Sequence, residues 1–333
     1  SMGAFAGSPT VVSTSEPIKI DGSMDEAAWA TAEPVTDFLK FQPVEGPPPP
    51  GTTQVRFLQD DKNLYVGIQV AEADYGIRAR ISRREEINAD DQVGVYLDTF
   101  QDERTGYIFY FNGLGIQQDI RVGPGFGSFS WNTVLKTKGV VTDDGFTLEV
   151  AIPWRSIKFP KPGDEAQTWG LILTRKIPAE GSKYSFPVTE RNHPQLFSQA
   201  AELTGVRPPK RGSGLELIPS VTLVQSAARE DRDAPLEWVD LDPKGEEAAQ
   251  NWLKVVRPSL DARLGITPNI GLAATVNPDF SQVEADEARF DVNEPFALFF
   301  REKRPFFLEG GELFDTPISA VYTRNIADPS WGS

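Results

Sequence analysis

The chain has no cysteine and one histidine among its 333 residues. Without cysteine there is no disulfide framework, no zinc–thiolate site and no thiolate nucleophile. A single histidine excludes multi-histidine metal sites and the HExxH arrangement, and any Ser-His-Asp triad would have to be built on that one side chain. His193 stands in the polar run RNHPQLF and reads as an ordinary loop residue. Long apolar runs are missing too. No stretch of about 18 apolar residues occurs, so the sequence holds no membrane-spanning helix, and the opening residues lack the charged-then-apolar pattern of a signal peptide. Positive charge is in short supply: 33 Lys and Arg against 48 Asp and Glu give a net charge of −15. That balance opposes nucleic acid and anionic membrane surfaces and suits neutral or cationic ligands. The opening Ser-Met-Gly and the abrupt close in DPSWGS read as the ends of a piece, or a processed form, of something longer.

What is present is period-2 alternation. Apolar content of 39% and aromatic content of 11% suit a packed chain, and the length suggests about two domains. TQVRFLQDDKNLYVGIQV places Val55 and Phe57 on one face, turns at Asp60-Asp61-Lys62-Asn63, and returns with Leu64, Val66, Ile68 and Val70 on one face. That pattern predicts a hairpin. QVGVYLDTF, YIFYFNG, GFTLEVAIP and WGLILTRKI are further strands, separated by the turn signals DERTG, NGLG, TDDG and KPGD. The one good helical start follows IDGS, at Asp25, Glu26, Ala27, Ala28 and Trp29. Trp154 and Trp169 sit inside periodic runs and read as core. The run of four prolines at 47–50 reads as a stiff surface spacer. Short strands with frequent turns and little helix predict a mainly β protein, an antiparallel β-sandwich with a C-terminal β-rich extension.

The pattern breaks after residue 205. We place the sandwich at residues 10–206, a proline- and glycine-rich linker at 207–214, and the extension at 215–333. LELIPSVTLV opens the extension, and AAREDRDAPLEWVDLDPKGEEAAQ reads as an exposed acidic loop. SLDARLGITPNIGLAATV then predicts a second hairpin turning at Thr267-Pro268-Asn269.

Four ordered blocks, IKIDGSMDEAAWATAEPV, VRFLQDDKNLYVGIQV, ADDQVGVYLDTFQDERTGYIFYF and GFTLEVAIPWRSIKF, resemble the family 9 carbohydrate-binding modules over residues 15 to 206 or so. The resemblance implies a sandwich that binds sugar without cleaving it. Those modules clamp a terminal sugar between two tryptophans. Here the first tryptophan position falls near Asn88 and the second near His193 or Pro194, none of them a tryptophan. The family's contact arginine lands on Tyr110, and the asparagine two residues on is matched by Asn112. Trp131, behind the flexible GPGFGSFS run, is the aromatic residue that would stand in. Asn88, Tyr110, Asn112 and Trp131 are therefore the expected ligand contacts. The final third, GITPNIGLAATVNPDFSQVEADEARFDVNEPFALFFREKRPFFLEGGELFDTPI with VYTRNI behind it, resembles the DUF5916 family over roughly 212 to 326. That resemblance implies a bacterial protein of the periplasm or outer membrane, in which a sandwich precedes a long membrane-embedded β-barrel.

FFREKRPFFLEGGELF, residues 299–314, admits three readings. Glu302, Glu309 and Glu312 could pair with Asp279, Glu284 or Asp286 for acid–base glycoside chemistry. The same carboxylates could hold calcium. Or the segment is a clasp: Arg301 and Arg304 bridge to carboxylates such as Glu284 and Asp286, flanked by Glu302, with the phenylalanines packed beneath. From Ser281 to Thr316 there are nine acidic and four basic residues, and buried charges persist only when paired, which favours the clasp. The combined expectation is non-catalytic recognition of a glycan or another envelope ligand, with a carboxylate-based glycoside hydrolase or accessory subunit as the alternative. Haem binding is disfavoured, because only His193, Met24 and Met2 are available as axial ligands.

Overall fold

The computed structural model describes residues 8–71, 76–123, 127–128, 131, 133–190, 193–210, 215–223, 227–228, 237–238, 256–267 and 270–276. The chain divides into two units, Ser1–Arg211 and Gly212–Ser333.

In the first unit the strands are β1 (Val12–Ser13), β2 (Leu39–Gln42), β3 (Thr52–Gln59), β4 (Asn63–Ala71), β5 (Gln92–Asp98), β6 (Gly106–Asn112) and β7 (Gln117–Val122). They are followed by β8 (Gly127–Ser128), β9 (Lys136–Thr142), β10 (Gly145–Pro153), β11 (Gln167–Ile177), β12 (Ser182–Phe186) and β13 (Ala201–Val206). One sheet has the order β1-β3-β4-β10-β9; the other runs β2-β12-β11-β5-β6-β7-β8, with β13 also paired to β11. Apart from the parallel β1–β3 pair, the ladders are antiparallel. Alternation decides what meets between the sheets. Val55, Phe57, Leu64, Val66, Ile68, Val70, Phe146, Leu148 and Val150 from one face Val93, Val95, Leu97, Tyr107, Phe109, Phe111, Leu171 and Leu173 from the other, in one buried cluster. Each such side chain contributes about 1.5–3 kcal/mol on burial. Trp154 and Trp169 close one side of that core, with ring centroids 6.1 Å apart and edge-to-face. The expected sandwich is what forms.

Local chemistry fixes the connections. In the β3–β4 turn Asp60 Oδ1 accepts hydrogen bonds from the amides of Lys62 and Asn63, both at 2.7 Å, and Oδ2 accepts from the Tyr65 hydroxyl at 2.9 Å. The start expected at Asp25 is a five-residue 3-10 turn, Ala27–Thr31, rather than an α-helix. Its Trp29 packs against the outer face of the first sheet with Leu58, Tyr65 and Ala151. Glu149 ties this segment down: its carboxylate accepts from the amides of Asp21 (3.0 Å) and Gly22 (2.7 Å) and from the Trp29 indole (3.0 Å). Burial, with Glu26 nearby, pushes the Glu149 carboxyl above its ordinary range despite those donors. Past β13 the chain is still docked at Arg207, the first position read as linker, whose amide donates to Gln59 at 2.7 Å.

In the second unit β14 (Leu215–Leu223), β17 (Val256–Thr267) and β18 (Ile270–Val276) form an antiparallel sheet in that order. Within the stretch read as a loop, β15 (Ala227–Ala228) pairs with β16 (Glu237–Trp238). Two-residue strands carry no periodicity for a sequence reading to find. In the three-stranded sheet register puts Leu217, Pro219 and Val221 beside Ala262, Leu260 and Pro258, and Ala262 and Leu260 beside Ala274 and Val276. That face is apolar throughout, and Leu217, Val221, Leu272 and Val276 are exposed on it. The opposite face carries Ser220 paired with Ser259, and Asp261 paired with Thr275.

Candidate functional site

The outward face of the larger sheet is ordered in rows by strand register. At one end Ile172, Tyr96, Ile108 and Ile120 line up across β11, β5, β6 and β7. Phe197, in the 3-10 turn Phe197–Gln199, packs on them. The next row is Ser185, Thr174, Gly94, Tyr110 and Gln118. The one after is Lys183, Lys176, Gln92 and Asn112. The face therefore grades from covered and apolar to polar.

Residues 76–91 form a strap at the polar end, held by charge rather than by strand pairing. Asp91 Oδ1 meets Arg175 Nη2 at 2.7 Å, with both side chains almost completely buried. Asp90 accepts from Arg80 Nε at 2.9 Å and from Asn112 Nδ2 at 3.0 Å. Desolvation pushes the Asp90 carboxyl up, but the bonds from Arg80 and Asn112 outweigh it and hold it below the usual range. Arg84 reaches Asp119 at 2.7 Å, and Asp119 also accepts from Gln117 Nε2 at 2.7 Å and the Thr133 amide at 2.9 Å. Burial nevertheless leaves Asp119 above the ordinary carboxylate value.

These contacts place the four expected ligand residues. Asn88 is exposed on the strap, and its carbonyl accepts from Lys176 Nζ. Tyr110 is half-buried in the second row, its hydroxyl 2.5 Å from that of Tyr96. Burial raises both phenols above their ordinary value, so they stay neutral hydrogen-bonding groups. Asn112 is fully buried, and its amide is spent internally on the Arg80 carbonyl, Asp90 and the amides of Leu114 and Ile116. Trp131 packs on Tyr107 and Phe109, with centroids 5.1 and 6.0 Å away. Those two rings belong to the inner face of β6, so Trp131 and Tyr110 lie on opposite sides of the sheet. The structure brings Asn88 and Tyr110 to one surface, leaves Asn112 beneath it, and sets Trp131 apart.

Register adds residues that sequence reasoning missed. Thr174, Lys176 and Gln118 share the face with Tyr110, and Gln118 is half-exposed. Gly94 lies between them as the floor. A Cβ there would come within 2.3 Å of Thr174 Oγ1 and 3.0 Å of Tyr110 Cδ1. The polar alternation in LTRKI was a signal for Thr174 and Lys176, but their neighbour β5 lies some eighty residues earlier. An open groove of about 320 Å³ on the smaller sheet is lined by Thr52, Gln54, Gln69, Thr142, Asp144 and Thr147 among others. Its one aromatic residue, Phe146, is buried in the core, so it offers no ring surface. The clasp residues Glu284, Asp286, Arg301, Glu302 and Arg304, and the carboxylates considered for calcium or catalysis, lie outside the described residues. Among the described residues no group of three or more potential ligands is placed to hold a metal, and no helix is long and apolar enough to cross a membrane.

Comparison with known proteins follows the same division. The family model described as carbohydrate family 9 binding domain-like matches residues 20–175. The model of DUF5916, a domain of unknown function, matches residues 244–330. Along the chain, then, a match to the family 9 carbohydrate-binding-like model precedes a match to the DUF5916 model. Among solved structures, a family 9 carbohydrate-binding module from Caldicellulosiruptor kristjanssonii in complex with glucose aligns at 14% identity and TM-score 0.42, covering 60% of this chain and 97% of that one. A family 9 module from the same organism in complex with cellotriose aligns at 14% identity and TM-score 0.40, covering 61% and 94%. A candidate carbohydrate-binding protein from Bacteroides uniformis aligns at 13% identity and TM-score 0.44, covering 59% and 97%. No curated protein matches the chain.

Proposed function

We propose that the sandwich is a non-catalytic glycan-recognition module of a bacterial outer-membrane-associated protein, and that the sugar lies on the polar part of the larger sheet's outward face. The observation that carries this is the row Thr174–Gly94–Tyr110–Gln118 beside Lys176. The Gln118 amide and the Lys176 ammonium are partly exposed there with the half-buried Tyr110 ring between them, and the Thr174 hydroxyl lies buried beside them; polar groups next to an aromatic ring are what a sugar's polar rim and apolar face require. Binding is weak, because among the described residues no pair of tryptophans flanks this face. The family match over residues 20–175 supports the reading.

Its test is a titration of the chain with neutral oligosaccharides by calorimetry. We expect Gln118→Ala with Thr174→Val to weaken binding roughly tenfold, the scale of one or two net hydrogen bonds. Trp131→Ala, on the opposite side of β6, should leave the affinity intact while lowering stability. If Trp131→Ala abolishes binding in a folded protein and the row variants do not, the site is on the other side.

The membrane association is supported by the second unit's sheet, in which one face is apolar and the other carries Ser220, Ser259, Asp261 and Thr275. Strands of 9, 12 and 7 residues bracket the roughly 9–11 of a tilted membrane strand. Flotation of the chain with lipid vesicles tests this. Loss of flotation on Leu217→Asp with Leu272→Asp is expected; absence of flotation in the unaltered chain would contradict it. The hydrolase alternative needs turnover of glycosides that disappears on Glu309→Gln or Glu312→Gln.

A further inference from the structure

The overall charge of −15 hides a local surplus of the other sign on the candidate face. Lys176 and Lys183 stand directly opposite each other across β11 and β12. Like charges facing each other in a sheet destabilise it, so the pair is unfavourable unless something anionic occupies the space between or above the two ammonium groups. No described residue supplies it. Among the described residues neither lysine makes an ion pair, and the bond that Lys176 makes is to a neutral acceptor, the Asn88 carbonyl. Two carboxylates are near enough to act on Lys176, Asp90 and Asp91. Both are already engaged, Asp90 by Arg80 and Asn112 and Asp91 by Arg175. The ammonium shows the strain: burial first, and Lys183 second, pull Lys176 below the ordinary lysine value against the pull of those aspartates.

The neighbouring row carries Thr174, Tyr110 and Gln118. Neighbouring rows on one face are two residues, about 7 Å, apart, and adjacent strands about 4.8 Å apart. From Thr174 on β11 to Gln118 on β7 is three strand spacings, about 14 Å, so a glycan of two or three residues could lie along that row, with the exocyclic group of the residue at its Thr174 end directed to the lysines. A free anion would use the lysines and leave that row unoccupied, and a neutral sugar would use the row and leave the lysines uncompensated.

We infer that the ligand is an acidic glycan, with the carboxylate of a hexuronate residue held between Lys176 and Lys183 while the sugar residues next to it lie along the adjoining row. This rests on the glycan reading above and narrows it. The far-field repulsion from a chain of net negative charge does not prevent it, because at physiological salt fields beyond about 8 Å are screened.

The test is calorimetry on the full chain with three ligands at matched ionic strength: a galacturonate or glucuronate oligosaccharide, its neutral hexose counterpart, and sodium acetate. We expect the uronate to bind at least about tenfold more tightly than the neutral sugar, the scale of one charge-assisted hydrogen bond, and acetate to bind far more weakly than either. Lys176→Met with Lys183→Met should remove that advantage without lowering the melting temperature, since it relieves a like-charge pair. Lys183→Glu, at a more exposed position, should weaken uronate binding while sparing the neutral sugar. Three results overturn the inference: equal or tighter binding of the neutral sugar, an advantage untouched by the lysine variants, or acetate binding as tightly as the uronate. If neutral sugar binds and uronate does not, glycan recognition stands and this narrowing falls; if neither sugar binds, both fall.

Discussion

Replacing Asp91 with alanine is the sharpest probe of how the strap is held. Asp91 and Arg175 have side-chain exposures of 2% and 1% and meet at 2.7 Å. The second Asp91 oxygen accepts the Arg78 amide at 2.9 Å, and the guanidinium lies 5.6 Å from the Phe146 ring centroid. Asp91→Ala removes the carboxylate that meets a guanidinium buried at the edge of the core. Breaking a buried pair from one side costs about 3–5 kcal/mol. For a unit of this size each kcal/mol lowers the melting temperature by about 2–4 °C, so a fall of roughly 6–20 °C is expected. Thermal unfolding followed by tryptophan fluorescence reads it directly, because Trp154 and Trp169 are buried in this unit. The double variant Asp91→Leu with Arg175→Met should recover most of the loss, since apolar replacement of both partners avoids the desolvation penalty. A shift below about 2 °C for Asp91→Ala would show that the pair does not hold the strap, and with it the rim of the candidate site.

Asp90 and Asp119 should act oppositely with pH. The Asp90 carboxyl is held below the ordinary aspartate value of 3.8, so its stabilisation is present above that pH and fades as the pH falls through the folded value. The stability gap between the unaltered chain and Asp90→Asn should therefore close in acid. Asp119 is raised, so its contribution is largest in acid and is lost as the pH rises through its folded value; chemical denaturation across pH measures both. Gly106→Ala would put a Cβ 2.4 Å from Phe197 Cζ and 2.6 Å from the Leu97 carbonyl oxygen. We expect a loss of about 1–3 kcal/mol and faster amide exchange at Phe197 and Ala200; unchanged stability and exchange would mean that the 193–200 segment does not depend on this contact.

The sandwich was legible because alternation is a local signal. Val55, Phe57, Leu64 and Val66 announce their face within one hairpin, and the Asp60 turn announces its bend. Half of the candidate site was legible for the same reason: parity along β6 puts Tyr110 on the face away from Phe109 and Phe111. Parity alone did not reveal that the Asn112 amide is consumed by the strap, since the strap is held by Asp90, Asp91 and their arginines and has no periodicity. Nor did it reveal the side on which Trp131 falls, because Trp131 belongs to no strand whose register would fix it. Thr174 and Lys176 became site residues only through the pairing of β11 with β5, a contact between distant parts of the chain. The lysine pair likewise needed the β11–β12 register, which places Lys183 opposite Lys176 rather than one residue to either side. The clasp proposed around Arg301 and Arg304 lies outside the described residues and stands as a sequence expectation.

The most direct test of the account is where a bound sugar perturbs the protein. Backbone amide shifts of the isotopically labelled full chain, recorded during titration with acidic and neutral oligosaccharides, give that position residue by residue. The account expects saturable shifts at Asn88, Gly94, Tyr110, Gln118, Thr174 and Lys176, with little change at Gln54, Gln69 or Thr147. Saturable shifts confined to the Gln54–Gln69–Thr147 groove on the other sheet, or around Trp131, would contradict it.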